Sequence, residues 1–155
     1  MDLRQALQAA DTYRAAAVEA LAVRLAERPI EHEQRAAHGF AWVATTVAAL
    51  DAVQAWCESG QGANPLDAKI AALAFAEGIG QLLGGLAMGQ NEIFRPADLG
   101  VGAAARTLAN SCSDLLDADH AALRAEIAAA LADGHWPSET LHDADLDTIR
   151  DQFRR

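Results

Sequence analysis

Lysine is almost missing from this chain, since Lys69 is its single example among 12 basic side chains set against 22 acidic ones. The resulting formal net charge of -10 repels phosphate backbones and anionic lipid, so nucleic acid and membrane surfaces are excluded as expected partners. Cysteine is scarce too. Cys57 and Cys112 are too few for a disulfide scaffold, and the N-terminus has no charged-then-apolar leader, which together point to a reducing cytoplasm. Aromatic residues make up 5% and β-branched ones are sparse, which disfavours strands. Walker-type phosphate loops are absent. No membrane span is expected either, because the most apolar segment, Ile70 to Met88, is interrupted by Glu77 and by glycines and reads as a core helix.

What is abundant is alanine, and with it helix propensity. The 155 residues suffice for one domain with its own core and predict an all-α fold, an antiparallel four-helix-bundle-like domain of five to six helices. The stretch Asn64 to Met88 organises it. Asn64 suits the N-cap and Pro65 the first helical position, after which apolar residues occupy every side, so other helices must surround this one. Its second half holds Gly78, Gly80, Gly84, Gly85 and Gly89. Each glycine inside a helix costs roughly 1 kcal/mol against alanine, so a backbone or ligand is expected to approach closely there.

From the start of the chain, Leu3, Leu7, Ala10, Ala17, Leu21 and Leu25, with Val18 beside them, recur at helical steps and predict a first helix from about Asp2 to Arg28, stopped by Pro29. A second helix begins near Ile30 or Glu31 and ends near Glu58. It is almost continuously apolar from Ala36 to Leu50. The short loop Ser59 to Ala63 makes it the antiparallel neighbour of the third, which brings His38-Gly39 opposite Gly84-Gly85. A long loop follows Met88. A fourth helix is expected over about Val101 to Leu116 and a fifth from Asp119 to Gly134, and a last amphipathic run carries Leu146, Ile149 and Phe153. Ile93, Phe94 and Leu99 make the loop after Met88 too apolar for a purely solvated excursion, so part of it is expected to pack back on the bundle. Of Ile93, Phe94, Leu99, Trp136 and Leu141, all outside the clearest stripes, some are expected to mark a docking surface.

Chemistry is thinly signalled by spacing. Gly78, Gly80 and Gly84 miss the dinucleotide fingerprint by one residue and follow no strand. His32, His38, His120, His135 and His142 have no metal-ligand spacing, and His135, His142, Asp143 and Asp145 merely share a loop, so no metal is expected. Cys57 and Cys112 read as inert core fillers. Glu77 in an apolar helix is either a titrating acid or, as is commoner, a buried carboxylate satisfied by Thr45 or Thr46, or a half-exposed one.

Ala68 to Ala87, AKIAALAFAEGIGQLLGGLA, resembles a helix in the C-terminal four-helix domain of acyl-CoA dehydrogenases, with Lys69, Gln81, Gly84 and Gly85 at the matching positions. The resemblance implies that Gln81, Gly84 and Gly85 lie near the adenosine half of FAD held by a neighbouring subunit. It also makes Glu92 the candidate base, although Ala87 replaces a glycine, Met88 an aromatic, and Glu92 stands one residue late. HGFAWVATTVAALDAVQAW and NEIFRPADLG further resemble the helical N-terminal extension of methylsuccinyl-CoA dehydrogenase-like acyl-CoA dehydrogenases, and IRDQFRR resembles the first helix of the body that follows. Residues 1–134 are then the bundle, and 135–155 an irregular junction to a flavin-binding body.

The function these resemblances imply is an accessory, non-catalytic domain of a FAD-dependent oxidoreductase acting on a branched acyl-CoA. FAD belongs to the full-length enzyme and not to this chain alone. Its partners are the flavin-binding body and further copies in a homo-oligomer. The competing reading is a stand-alone helical protein that homo-oligomerises or binds a small ligand between its helices.

Overall fold

Caps and breakers set the helix boundaries, and the computed structural model describes residues 2–59, 64–138 and 152. Helix α1 spans Leu3–Glu27; the Asp2 carboxylate accepts from the Arg4 amide at 3.1 Å, and Arg28 is extended ahead of Pro29. After a 3-10 turn at Ile30–His32, α2 runs over Gln34–Ser59. Asn64 caps α3, Pro65–Gly84, by accepting from the Leu66 amide at 3.0 Å. These boundaries agree with expectation except at the start of α2, where the turn after Pro29 is 3-10 and the α-helix expected from Ile30 or Glu31 begins only at Gln34, and at the end of α3. That helix stops at Gly84, four residues before Met88, because Gly85 takes a φ of +133° that only glycine adopts without strain.

The following loop is more regular than its sequence suggested. Leu86–Ala87 (β1) pairs antiparallel with Ile93–Phe94 (β2), in the register Leu86↔Phe94 and Ala87↔Ile93. Four helices follow: α4, Pro96–Leu99; α5, Gly102–Ser111; α6, Ser113–Leu116; and α7, His120–Ala132. Among the described residues there are thus seven α-helices rather than five or six. The added ones are the single turn α4 and the split of the expected fourth helix at Cys112 into α5 and α6. The fold remains all-α. The expected helix carrying Leu146, Ile149 and Phe153 lies outside the described residues, as do Leu141 and His142.

In the bundle, α1 packs on α2 and α5, while α3 packs on α2, α6 and α7. The core stripe of α1 is Ala6, Ala10, Tyr13, Ala17 and Leu21. Two residues of the predicted stripe fall outside it, Val18 and Leu25, which are 42% and 37% exposed. Tyr13, Phe75 and Phe94 are the large buried aromatics, joined by Val43, Val47, Leu50, Ile79, Leu82 and Leu108. Phe94 and Leu99 are buried in this core, the part of the loop that packs back on the bundle as expected. Ile93 and Trp136 stay exposed.

Close approach occurs at three glycines: Gly39 in α2, Gly78 in α3, and Gly85 just past the end of α3, where a Cβ would lie 2.5 Å from Cγ2 of Ile93. A Cβ on Gly78 would lie 2.9 Å from Leu50 of α2, whereas Gly80, Gly84 and Gly89 face open space. The predicted pairing of Gly39 with Gly84 therefore gives way to a different contact. A Cβ on Gly39 would stand 2.2 Å from Cδ2 of Phe94, so the ring fills the notch that glycine leaves in α2.

One helix, Gln34–Glu58, is long and apolar enough to cross a membrane by length and composition, and it is not the one singled out from the sequence. Its 18-residue window has a mean hydropathy of 1.2, yet only 28% of it is buried. Val43, Val47 and Leu50 face the core; much of the remaining apolar surface of α2 does not.

Two outcomes test this packing. Gly39→Ala should destabilise by about 1–3 kcal/mol in urea unfolding, because the Phe94 ring must move. Gly84→Ala, with room around it, should cost nothing. Paired with Phe94→Leu, the Gly39→Ala cost should shrink; strictly additive losses would mean the two sites are independent. The second outcome concerns alkali. Burial pushes the Tyr13 phenol from 10.0 up to about 12. The folded state thus holds its proton longer than the unfolded chain does, so stability is full below about pH 10 and falls as pH rises to about 12, by on the order of 2 kcal/mol. Tyr13→Phe should flatten this part of an alkaline stability curve.

Candidate functional site

The residues that resemblance singled out gather where α3 gives way to the hairpin. The Gly85 amide donates to the Gln81 carbonyl at 2.9 Å and closes the helix, and the Met88 amide donates to the Glu92 carbonyl at 2.8 Å across the turn. Arg35 of α2 holds the hairpin from outside. Its guanidinium pairs with the Glu92 carboxylate and donates to the Ile93 carbonyl at 2.9 Å, with the Asp98 carboxylate 3.5 Å away. Asp98 also accepts from the Arg95 amide at 2.7 Å and so caps α4. Glu92 is therefore an ion-paired clasp at the surface, its side chain 46% exposed. A general base needs a lone pair directed at a substrate proton, and this carboxylate is directed at a guanidinium.

Gln81 and Gly84 lie on the exposed side of the last turns of α3, and Gly85 is half-buried. The Gln81 side chain, expected to hydrogen-bond nearby, has no partner among the described residues. The side chain of Arg95 comes close to Gly85, its Cγ 3.3 Å from where a Cβ would stand. Such an edge of glycines, one amide and one guanidinium can touch a group presented by another surface. It does not form a cradle that would enclose the diphosphate of FAD.

Glu77 takes the half-exposed one of its expected settings. It is exposed and pairs with Arg124 of α7 at 2.6 Å, with no link to Thr45 or Thr46, whose hydroxyls donate to the Ala41 and Trp42 carbonyls at 2.9 Å. Lys69 pairs with Glu126 at 2.9 Å along the same α3–α7 seam. Neither cysteine is activated. Burial pushes the Cys112 thiol up, and burial followed by the nearby Asp67 and Glu58 charges does the same for Cys57. Among the described residues no histidine, cysteine or carboxylate cluster suits a metal.

A cleft of about 690 Å3 lies between α1 and α2, with Leu7, Ala44, Val47 and Ala48 as its floor. Its charged rim is largely self-paired. Arg4 meets Glu58 at 2.8 Å and Arg14 meets Asp11 at 2.7 Å. Hydrogen bonds from Gln54 and then Arg4 hold the Glu58 carboxyl below its usual range, and the same contact raises the Arg4 guanidinium. The Gln54 Oε1 atom is buried without a partner.

Sequence reasoning missed Arg35 and Asp67. Arg35 acts on residues 57 to 63 positions away, which no local pattern announces. Asp67, in the first turn of α3, is 3% exposed and accepts from the Ser138 amide at 2.8 Å. Asn64 likewise donates to the Trp136 carbonyl at 2.9 Å, and the Trp56 indole to the Ser138 carbonyl at 3.1 Å. The chain after α7 is thereby fastened across the α2–α3 end.

No protein-family model matches the chain. It is similar to (2S)-methylsuccinyl-CoA dehydrogenase of Cereibacter sphaeroides, with 33% identity over 143 residues, covering 85% of this chain and 25% of that protein. The chain thus spans about a quarter of the length of the curated relative it matches.

Glu92→Gln should cost only about 0.2–1 kcal/mol, as for exposed ion pairs, while Arg35→Ala should cost more because it also frees the Ile93 carbonyl and Asp98. Amide exchange at Met88 and Phe94 should quicken in both. Exchange unchanged in Arg35→Ala would show that the clasp does not hold the hairpin.

Proposed function

We propose that this all-α domain, related to an acyl-CoA dehydrogenase, is a non-catalytic accessory module of a FAD-dependent enzyme that oxidises a branched acyl-CoA such as methylsuccinyl-CoA. The observation that carries this reading is the similarity over most of the chain to a quarter-length part of a named dehydrogenase. In this reading residues 1–134 are a bundle preceding the flavin-binding body, and residues 135–155 lead into it.

The chemistry favours a supporting role. Acyl-CoA oxidation needs a flavin on one side of the α,β-carbons and a base on the other, with reacting atoms about 3–3.5 Å apart. When bound, FAD supplies the hydride acceptor; this chain's candidate for the base, Glu92, is already paired with Arg35. Gln81, Gly84 and Gly85 remain available to touch the adenosine half of a cofactor held elsewhere. Two free thiols suit the cytoplasm, and oligomerisation belongs to the assembled enzyme. The α1–α2 cleft, with its unpaired Gln54 oxygen, is what a stand-alone ligand-binding protein would use.

Purified alone, the chain should be colourless and should not reduce an electron acceptor with acyl-CoA. Joined to the flavin-binding remainder of the Cereibacter dehydrogenase in place of its matched quarter, it should raise that protein's thermal stability or alter substrate access. A yellow preparation of the chain alone, with stoichiometric flavin and turnover abolished by Glu92→Gln, would overturn the assignment.

A further inference from the structure

We infer that the outer face of α2 is the docking surface for a helix of the flavin-binding body, a partner assignment that rests on the accessory-domain reading above. The face has a definite pattern. His38, Trp42, Thr45, Ala49, Ala52 and Trp56 follow at alternating steps of four and three, the spacing of a seam in left-handed helix packing. Four of them, His38, Thr45, Ala49 and Ala52, are exposed, Trp42 is 39% exposed and Trp56 half-buried. No acidic residue, lysine or arginine occurs from Ala36 to Leu50, in a chain of net charge -10.

Three donors of this seam are already satisfied. Thr45 donates to the Ala41 carbonyl at 2.9 Å, the Trp42 indole to His38 Nε2 at 3.1 Å, and the Trp56 indole to the Ser138 carbonyl. Covering these three leaves none of them unpaired, and the Nδ1–H of His38, at the far end of the seam from Trp56, is the one donor that calls for an acceptor on the incoming helix. Small residues in the middle, flanked by two tryptophans, leave room for the bulky aliphatic side chains of a second helix.

Size and position select the occupant. From His38 to Trp56 the seam is ~27 Å long at ~1.5 Å per residue and ~10 Å wide, on the order of 270 Å2. A free dimer needs about 800 Å2 per partner, so a second copy held by this face alone is too weakly bound. A covalently joined partner needs far less, because linkage raises its effective concentration. The chain after α7 is fastened at Trp56, the foot of the seam, through Ser138, so the covalent tether reaches the seam's own end. The charge-free face selects an uncharged, aliphatic seam on the incoming helix.

The test uses the chimera described above, in which this chain replaces the matched quarter of the Cereibacter dehydrogenase. Thr45→Glu and Ala49→Glu, at exposed positions, should leave the melting of the chain alone unchanged. In the chimera each should abolish the stabilisation or altered substrate access that the wild-type domain confers, while Ala15→Glu on α1 should not. Acrylamide quenching, read with Trp136→Phe and Trp56→Phe so that Trp42 is isolated from the other two tryptophans of this chain, should fall at least about threefold on joining, against a chimera carrying Trp42→Phe as blank. If the wild-type chimera gains nothing from the domain, the accessory reading itself fails. If it gains but tolerates both glutamates, or if Trp42 stays as quenchable as in the chain alone, the docking face is wrong and the accessory reading stands. A concentration-dependent dimer of the chain alone, dissolved by Thr45→Glu, would assign the face to a second copy. Shielding of Trp42 already present in the chain alone and lost on removing residues 139–155 would assign it to the chain's own C-terminal segment.

Discussion

The Phe94 ring against the bare backbone of Gly39 is the contact from which the lower-order features of this fold follow. It is made only if the chain reverses at once after α3, which the left-handed Gly85 permits, and if β2 returns antiparallel to β1. With Phe94 seated, Pro96 and Leu99 are drawn into the core and α5 is delivered against α1. Arg35 clasps the same hairpin from outside, in a half-exposed setting worth little energy by itself. Apolar packing holds the hairpin in place, and the ion pair fixes its edge.

The sequence carried its local information faithfully. Asn64-Pro65, Asp2 and Pro29 announced helix ends within a residue or so, because capping and proline sterics act over a few residues. The all-α class followed from alanine content and scarce β-branched residues. What escaped was long-range. Glycines at 80 and 84 looked like a contact surface, yet the contact glycines in that region are Gly78 and Gly85, and the tightest is Gly39 on another helix. Phe94 and Leu99 looked displaced from any stripe because a two-residue strand and a one-turn helix are too short to show periodicity. The core of α1 shifted toward Ala6 and Tyr13 because alanine and tyrosine serve both surface and interior, and composition cannot say which.

The candidate site shows the same division. Gln81, Gly84, Gly85 and Glu92 do come together around one turn, as their closeness in sequence made inevitable. Their chemistry was decided by Arg35, which lies two elements earlier. A glutamate facing a guanidinium at the surface is a fastener, and the same residue in an apolar pocket is a proton acceptor; the motif alone does not distinguish these environments.

The three hydrogen bonds that tie Trp136 and Ser138 to Asn64, Asp67 and Trp56 also decide how force travels through the domain. A pull on the chain beyond Ser138 does not first reach α7, although α7 is its nearest helix in sequence. It enters at the end of the α2–α3 pair, at Trp56 of one helix and Asn64 and Asp67 at the start of the other, and α7 is strained only once those bonds have parted. Motion of whatever is attached there is therefore transmitted to the centre of the bundle and bypasses its rim.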